Sequence, residues 1–180
     1  MNKNNVEQVI DSAVEYIKTA HKEKYGWAIW KCNRPNYLVN NCLPASYHAQ
    51  SHVLTKSFDS SSKLVIGIVT ETPENKKSAA ARIRRIVEFM SLKTFSGREA
   101  SAPPFHAWVG FDDGNILDIT GPIYLEKASP LGKKYYFDKS PIKDKFYFIP
   151  VYSGYKACKF YEKFAEAQGS GWKGVSRIFI

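Results

Sequence analysis

The sequence predicts an α+β protein forming a single domain over residues 1–180. Three observations carry that expectation. Val6, Val9, Ile10, Ala13, Val14 and Ile17 recur at helical spacing near the start of the chain. Later, apolar and polar residues alternate on both sides of Asp112-Asp113-Gly114, the pattern of two strands joined by a tight turn. The chain has 180 residues, 44% of them hydrophobic and 24% charged, which is enough apolar material for a proper core. Helices first and hairpin-joined strands afterwards give the α+β class, and no internal repeat interrupts the pattern.

The elements follow in order. The first amphipathic stripe predicts a helix from about Asn5 to Lys22. Tyr25 to Trp30 is short and aromatic, and reads either as a strand or as a loop. Asn40-Asn41-Cys42-Leu43-Pro44-Ala45 opens a second helix reaching about Thr55. Asn41 is a fitting cap, and a proline is tolerated in the first turn, where its missing donor costs nothing. That helix shows Ala45, Ala49 and Val53 on one stripe. Lys63 to Thr70 is almost continuously apolar and reads as a buried strand. Glu71 to Ser78 is a polar turn containing Pro73, followed by a third helix from Ala79 to Lys93. Ile83, Ile86, Val87 and Met90 are its inward set, with Arg82, Arg84 and Arg85 largely outward. After the hairpin, Gly121-Pro122 begins an irregular stretch. Tyr135-Tyr136-Phe137 reads as an edge strand, and Lys145 to Tyr152 as a strand whose Pro150 requires an edge position or a bulge. Tyr155 to Gln168 is the last helix, before a glycine-rich loop over Gly169 to Gly174.

Composition narrows the function. No run of about 18 apolar residues exists, so no membrane-spanning helix is expected. The N-terminal region is amphipathic with internal acids, unlike a secretory signal. With three cysteines as well, the expected location is the cytoplasm, or outside the cell by a route without a cleaved signal. The net charge of +9, with Lys76, Lys77 and the run Arg82-Ile83-Arg84-Arg85, suits an acidic protein or anionic surface as target. It also keeps open the alternative of a basic nucleic-acid- or protein-binding module without catalysis.

The chemistry-bearing residues are Cys42, His106 and Asp118. A three-residue loop at Asp112-Asp113-Gly114, with Gly114 in the left-handed conformation, sets Phe111 opposite Asn115 and Trp108 opposite Asp118. His106, Trp108, Asp118 and Thr120 then share one face of the hairpin. Ala107, Val109, Phe111, Leu117 and Ile119 share the other. A two-residue loop would turn Asp118 to the face opposite His106, because a slip of one residue flips a strand. The clean apolar/polar division favours the longer loop. Cys42 stands in the first turn of its helix, where the partial positive charge of unpaired amides favours a thiolate. Cys32 and Cys158 have no such setting and read as structural. Nucleophile, base and the base's orienter are the three parts of an activated thiol.

His106-Ala107-Trp108-Val109, a short turn, then Leu117-Asp118-Ile119-Thr120-Gly121 resembles the His–Asp half of the transglutaminase-like cysteine enzymes. The match extends to Cys42 with Ala45 three residues on, as in a helix opened by the family's nucleophile. The motifs cover roughly a third of the chain. The resemblance departs in a tighter hairpin, in lacking a tryptophan ahead of the aspartate strand, and in Asn40-Asn41 where glycine and aromatics are usual. It implies a cysteine-bearing helix packed on an antiparallel sheet, a core shared with papain-like proteases, with additional helices around it.

The expected reaction is acyl transfer at an amide bond of a protein or peptide-like substrate, through a thioester on Cys42. His106 acts as base, and Asp118 sets its tautomer and stabilises its charge. Asn36, Asn40 and Asn41 are candidate oxyanion donors beside the Cys42 amide, and Trp108 a candidate wall for the acyl group. Peptidase, amidase, deamidase and transglutaminase outcomes all stay open. No cofactor or metal is called for. His48 and His52 share a helix face at a spacing compatible with a metal, without the glutamate of metalloprotease helices. His48 is also a reserve candidate for the base.

Overall fold

A computed structural model describes residues 3–25, 42–50, 61–71, 76–92, 103–126 and 135–167. In chain order the elements are α1 (Lys3–Tyr25), α2 (Cys42–His48), β1 (Lys63–Thr70), α3 (Lys76–Ser91) and β2 (His106–Gly110). They continue with β3 (Asn115–Asp118), α4 (Gly121–Leu125), β4 (Tyr136–Lys139), β5 (Tyr147–Ser153) and α5 (Tyr155–Ala167). The fold is α+β, with a five-stranded antiparallel sheet in the order β4-β3-β2-β1-β5. No helix among the described residues is long and apolar enough to cross a membrane. The chain divides into two compact units, Met1–Leu64 with Ala107–Lys139 and Val65–His106 with Ser140–Ile180.

In the first unit, the stripe on α1 does what its periodicity predicts. Val6, Val9, Ile10 and Ala13 are buried and form one cluster with Ala49 and with Val109, Leu117 and Ile119 of the hairpin region. Phe111, Tyr135 and Phe137 pack at its margin. Ile17, one turn further along α1, meets Ala45 of α2, with Ile123 of α4 beside them. The hairpin therefore presents its apolar face to α1. Its other face is closed as well, since Trp108, Asp118 and Thr120 are all buried. The stretch after Gly121, expected to be irregular, is instead the short helix α4 with Pro122 in its first turn. Proline costs nothing there, and its fixed φ suits a helix start. The proposed edge strand is present as β4, paired with β3 on its inner side.

In the second unit, β1 is buried along its length from Leu64 to Thr70. It pairs with β5, and the register shifts between Ile66 and Gly67, opposite Tyr152 and Pro150, leaving Val151 as the extra residue. Pro150 thus lies on an outer strand and next to a bulge, the two places where its missing donor is tolerated. Phe160 of α5 centres the aromatic core, with its ring centroid 4.9 Å from Phe105 and 5.3 Å from Phe89.

Helix α3 begins at Lys76, three residues ahead of the expected start, and its inward set is corrected in one respect. Val87 is 43% exposed, while Phe89 is buried beside Ile86. The stripe steps from Ala79 to Ile86 to Phe89, and Phe89 reaches the Phe160 ring where Val87 faces away. Arg82 is half-buried rather than outward, because its Nη1 donates to the Val69 carbonyl at 3.1 Å. Lys163 of α5 closes the far end of α3, its ammonium donating to the carbonyls of Met90, at 2.6 Å, and Leu92.

Candidate functional site

Turn chemistry sets the hairpin register. Gly114 has φ +86°, the left-handed conformation open to glycine, and its amide donates to the Phe111 carbonyl at 3.0 Å. The Phe111 amide donates to the Asn115 carbonyl at 3.0 Å, closing a three-residue loop. Asp113 braces the loop by accepting from the Asn115 amide at 2.9 Å and the Asn115 side chain at 2.7 Å. Those bonds, the backbone one foremost, hold the Asp113 carboxyl below the usual carboxylate range. The ladder pairs Val109 with Leu117 and Gly110 with Ile116. One step further along, Trp108 faces Asp118, as the longer loop requires. The two-residue alternative is not the one adopted. His106 has the same strand parity as Trp108, two residues away on β2.

Asp118 is fully buried and its orientation is over-determined. Its Oδ1 accepts from the amides of Thr120 at 3.0 Å and Gly121 at 2.8 Å, and from the Thr120 hydroxyl at 3.4 Å. The chain thereby folds back on the carboxylate and turns straight into α4, whose first amides are those donors. The close approach depends on Gly121. A Cβ there would stand 2.7 Å from the Asp118 Cγ and in collision with its Oδ2, with Tyr136 Cδ2 at 2.8 Å on the other side. Tyr136 is the direct cross-strand partner of Asp118. It is itself buried, and its hydroxyl donates to Glu126 Oε1. Burial first, then the hydrogen bond and charge of Glu126 and the charge of Asp118, push the phenol far above its ordinary range.

Cys42 is a half-exposed free thiol at the first residue of α2. The sequence sets it there with Pro44 two residues on. The helix then continues into a wider, π-type turn at Ala49 and Gln50. Residues four apart share a helix face, so Ser46 lies on the Cys42 side of α2 one turn later. Ser46 is buried, and its hydroxyl donates to the Ala107 carbonyl at 3.0 Å. The cysteine face of α2 is therefore bonded to the β2 residue that follows His106. His106 is buried, with its ring 6.2 Å from that of Phe148.

Cys42, Trp108 and Asp118 belong to the first unit, and His106 closes the first of the two segments of the second. His48 is engaged elsewhere. It stacks on Tyr16 of α1 with centroids 4.2 Å apart and planes 6° from parallel, and its Nε2 lies 3.3 Å from the Ser12 hydroxyl. Among the described residues, no three His, Cys, Asp or Glu side chains gather as a metal site. Burial, followed by the nearby charge of Glu162, pushes the Cys158 thiol up, which suits a structural cysteine. Asn36, Asn40, Asn41, Cys32 and His52 lie outside the described residues.

Sequence reasoning missed Ser46, Glu126 and Tyr136, and it missed the steric reason for Gly121. Part of that signal was present. Asp118-Ile119-Thr120-Gly121-Pro122 reads as an acceptor, a turn and a proline-led helix start, which is a capped helix rather than a loop. No family model, curated protein or solved structure matches the chain.

Proposed function

We propose that the protein is a thiol-dependent acyl-transfer enzyme with a papain-like or transglutaminase-like core, acting on an amide bond of a protein or peptide-like substrate. Cys42 is the nucleophile, His106 its base and Asp118 the carboxylate that orients the imidazole. His106 accepts the Cys42 proton, and Sγ attacks the carbonyl carbon. The tetrahedral intermediate collapses as His106 returns the proton to the leaving nitrogen, giving an amine and a thioester on Cys42. Water or a second amine, deprotonated by His106, then attacks the thioester. The acyl group leaves as acid or new amide, and the thiol is restored.

The single observation that carries this reading is the buried bond from Ser46 Oγ to the Ala107 carbonyl. It fastens the helix face bearing the thiol to the strand that opens with the imidazole. The register pairs that strand with one ending in a fixed, buried carboxylate.

Alkylation by iodoacetamide near neutral pH, followed by peptide mapping, tests it. An unactivated thiol is only a few per cent ionised at that pH, so Cys42 should react roughly ten- to thirtyfold faster than Cys158. His106→Ala should remove the advantage. Equally slow labelling of the two cysteines in the unmodified protein would sink the proposal.

A further inference from the structure

We infer that Tyr136 and Glu126 form a latch that holds the Asp118 carboxylate in place, making both of them positioning residues for the acyl transfer proposed above, on which this inference rests. The latch is a closed circuit within the first unit. From Asp118 the chain turns through Thr120 and Gly121, whose amides grip Oδ1. It continues through the single short helix α4 to Glu126. Glu126 accepts the hydroxyl proton of Tyr136, and Tyr136 pairs across the sheet with Asp118. Where the circuit closes, the Gly121 α-carbon is wedged between the Asp118 carboxyl and the Tyr136 ring edge.

The parts have distinct work. The hydrogen bonds to Oδ1 grip the carboxylate from the side of its own turn. The Tyr136 ring backs that grip by occupying the space on the far side of Gly121. Glu126 ties down the polar end of that ring, which lies on an outer strand. Glu126 is exposed while Tyr136 is buried, so the latch runs from the surface inward to the carboxylate.

The test is the pH dependence of Cys42 alkylation by iodoacetamide in the full chain, with urea unfolding measured alongside. Asp118→Asn, Tyr136→Phe, Glu126→Ala and Glu126→Gln are compared with the parent. Asp118→Asn should slow alkylation at neutral pH and displace the pH–rate profile. Tyr136→Phe keeps the ring and loses the tie, and should displace the profile in the same direction with a loss of up to about tenfold, the size of one lost hydrogen bond. Glu126→Ala should match it, and Glu126→Gln, which keeps a neutral acceptor, should recover part of the rate. If Tyr136→Phe does not fold, the exposed Glu126 pair carries the same comparison. Profiles for Tyr136→Phe and Glu126→Ala that superimpose on the parent while Asp118→Asn departs would overturn the latch and leave the triad standing. A profile unchanged by Asp118→Asn would overturn both.

Discussion

At the scale of single residues, Asp118 and Gly121 behave as one unit. The carboxylate is held by three donors of its own turn, so it cannot retreat from a side chain added at position 121 without breaking them. Gly121 is required for room rather than for an unusual backbone angle, unlike Gly114 with its φ of +86°. Overpacking a site with no slack costs about 1–3 kcal/mol. Gly121→Ala should lower the free energy of unfolding in urea by that amount. A midpoint equal to the parent's would show that the turn relaxes cheaply and that the close packing is incidental. The glycine was visible in the sequence beside Thr120, but its neighbour across the sheet, Tyr136, is fifteen positions further along the chain. Nothing local announces that contact.

At the scale of elements, α2 is short and draws its position from what it touches. Leu43, Pro44, Ala45 and Ser46 are all buried, so nearly the whole first half of the helix faces protein. Its apolar side is held by Ile17 and Ile123, and its polar anchor is the bond from Ser46 to the Ala107 carbonyl. Removing a buried donor leaves the carbonyl unpaired, at a cost of about 1–3 kcal/mol. Ser46→Ala should lose stability in that range and also slow Cys42 alkylation, because the helix face that carries the thiol loses its tie to β2. Loss of stability with an unchanged alkylation rate would separate the two roles and weaken the case for the triad. The hairpin, by contrast, needs no distant partner to choose its register. Asp112-Asp113-Gly114 and the alternation around it specify the pairing of Val109 with Leu117, because left-handed geometry at one glycine and side-chain parity are local constraints. The helix α4 fell between these cases, since its first amide is held by the Asp118 carboxylate three residues back and a five-residue helix has no periodicity to read.

At the scale of the whole molecule, the chain passes between its two units three times, so neither unit is a continuous stretch of sequence. The apolar stripe of α1 is covered by Val109, Leu117 and Ile119, which arrive about a hundred residues later. A fragment of residues 1–64 has the stripe without its cover. Helices within proteins gain most of their stability from packing of the amphipathic face, and isolated ones are marginal. The fragment should therefore show much weaker helical circular dichroism per residue than the same segment contributes in the full chain, and adding residues 107–139 in trans should recover part of it. A fragment already fully helical on its own would mean that α1 does not depend on the hairpin.

The sequence by itself determined the α+β class, the bounds of β1 and α5 to within a residue, the buried stripe of α1 and the hairpin register. Each of these is written in periodicity or turn chemistry within a few residues. Only the tertiary structure decided that both faces of the hairpin are buried, that Phe89 displaces Val87 inward, and that His48 is committed to Tyr16 and Ser12. The bond from Ser46 to Ala107 and the closing of Tyr136 and Glu126 around Asp118 belong to the same group. All of them are contacts between residues distant in the chain, and a one-dimensional pattern records which side a residue faces without recording what it meets there.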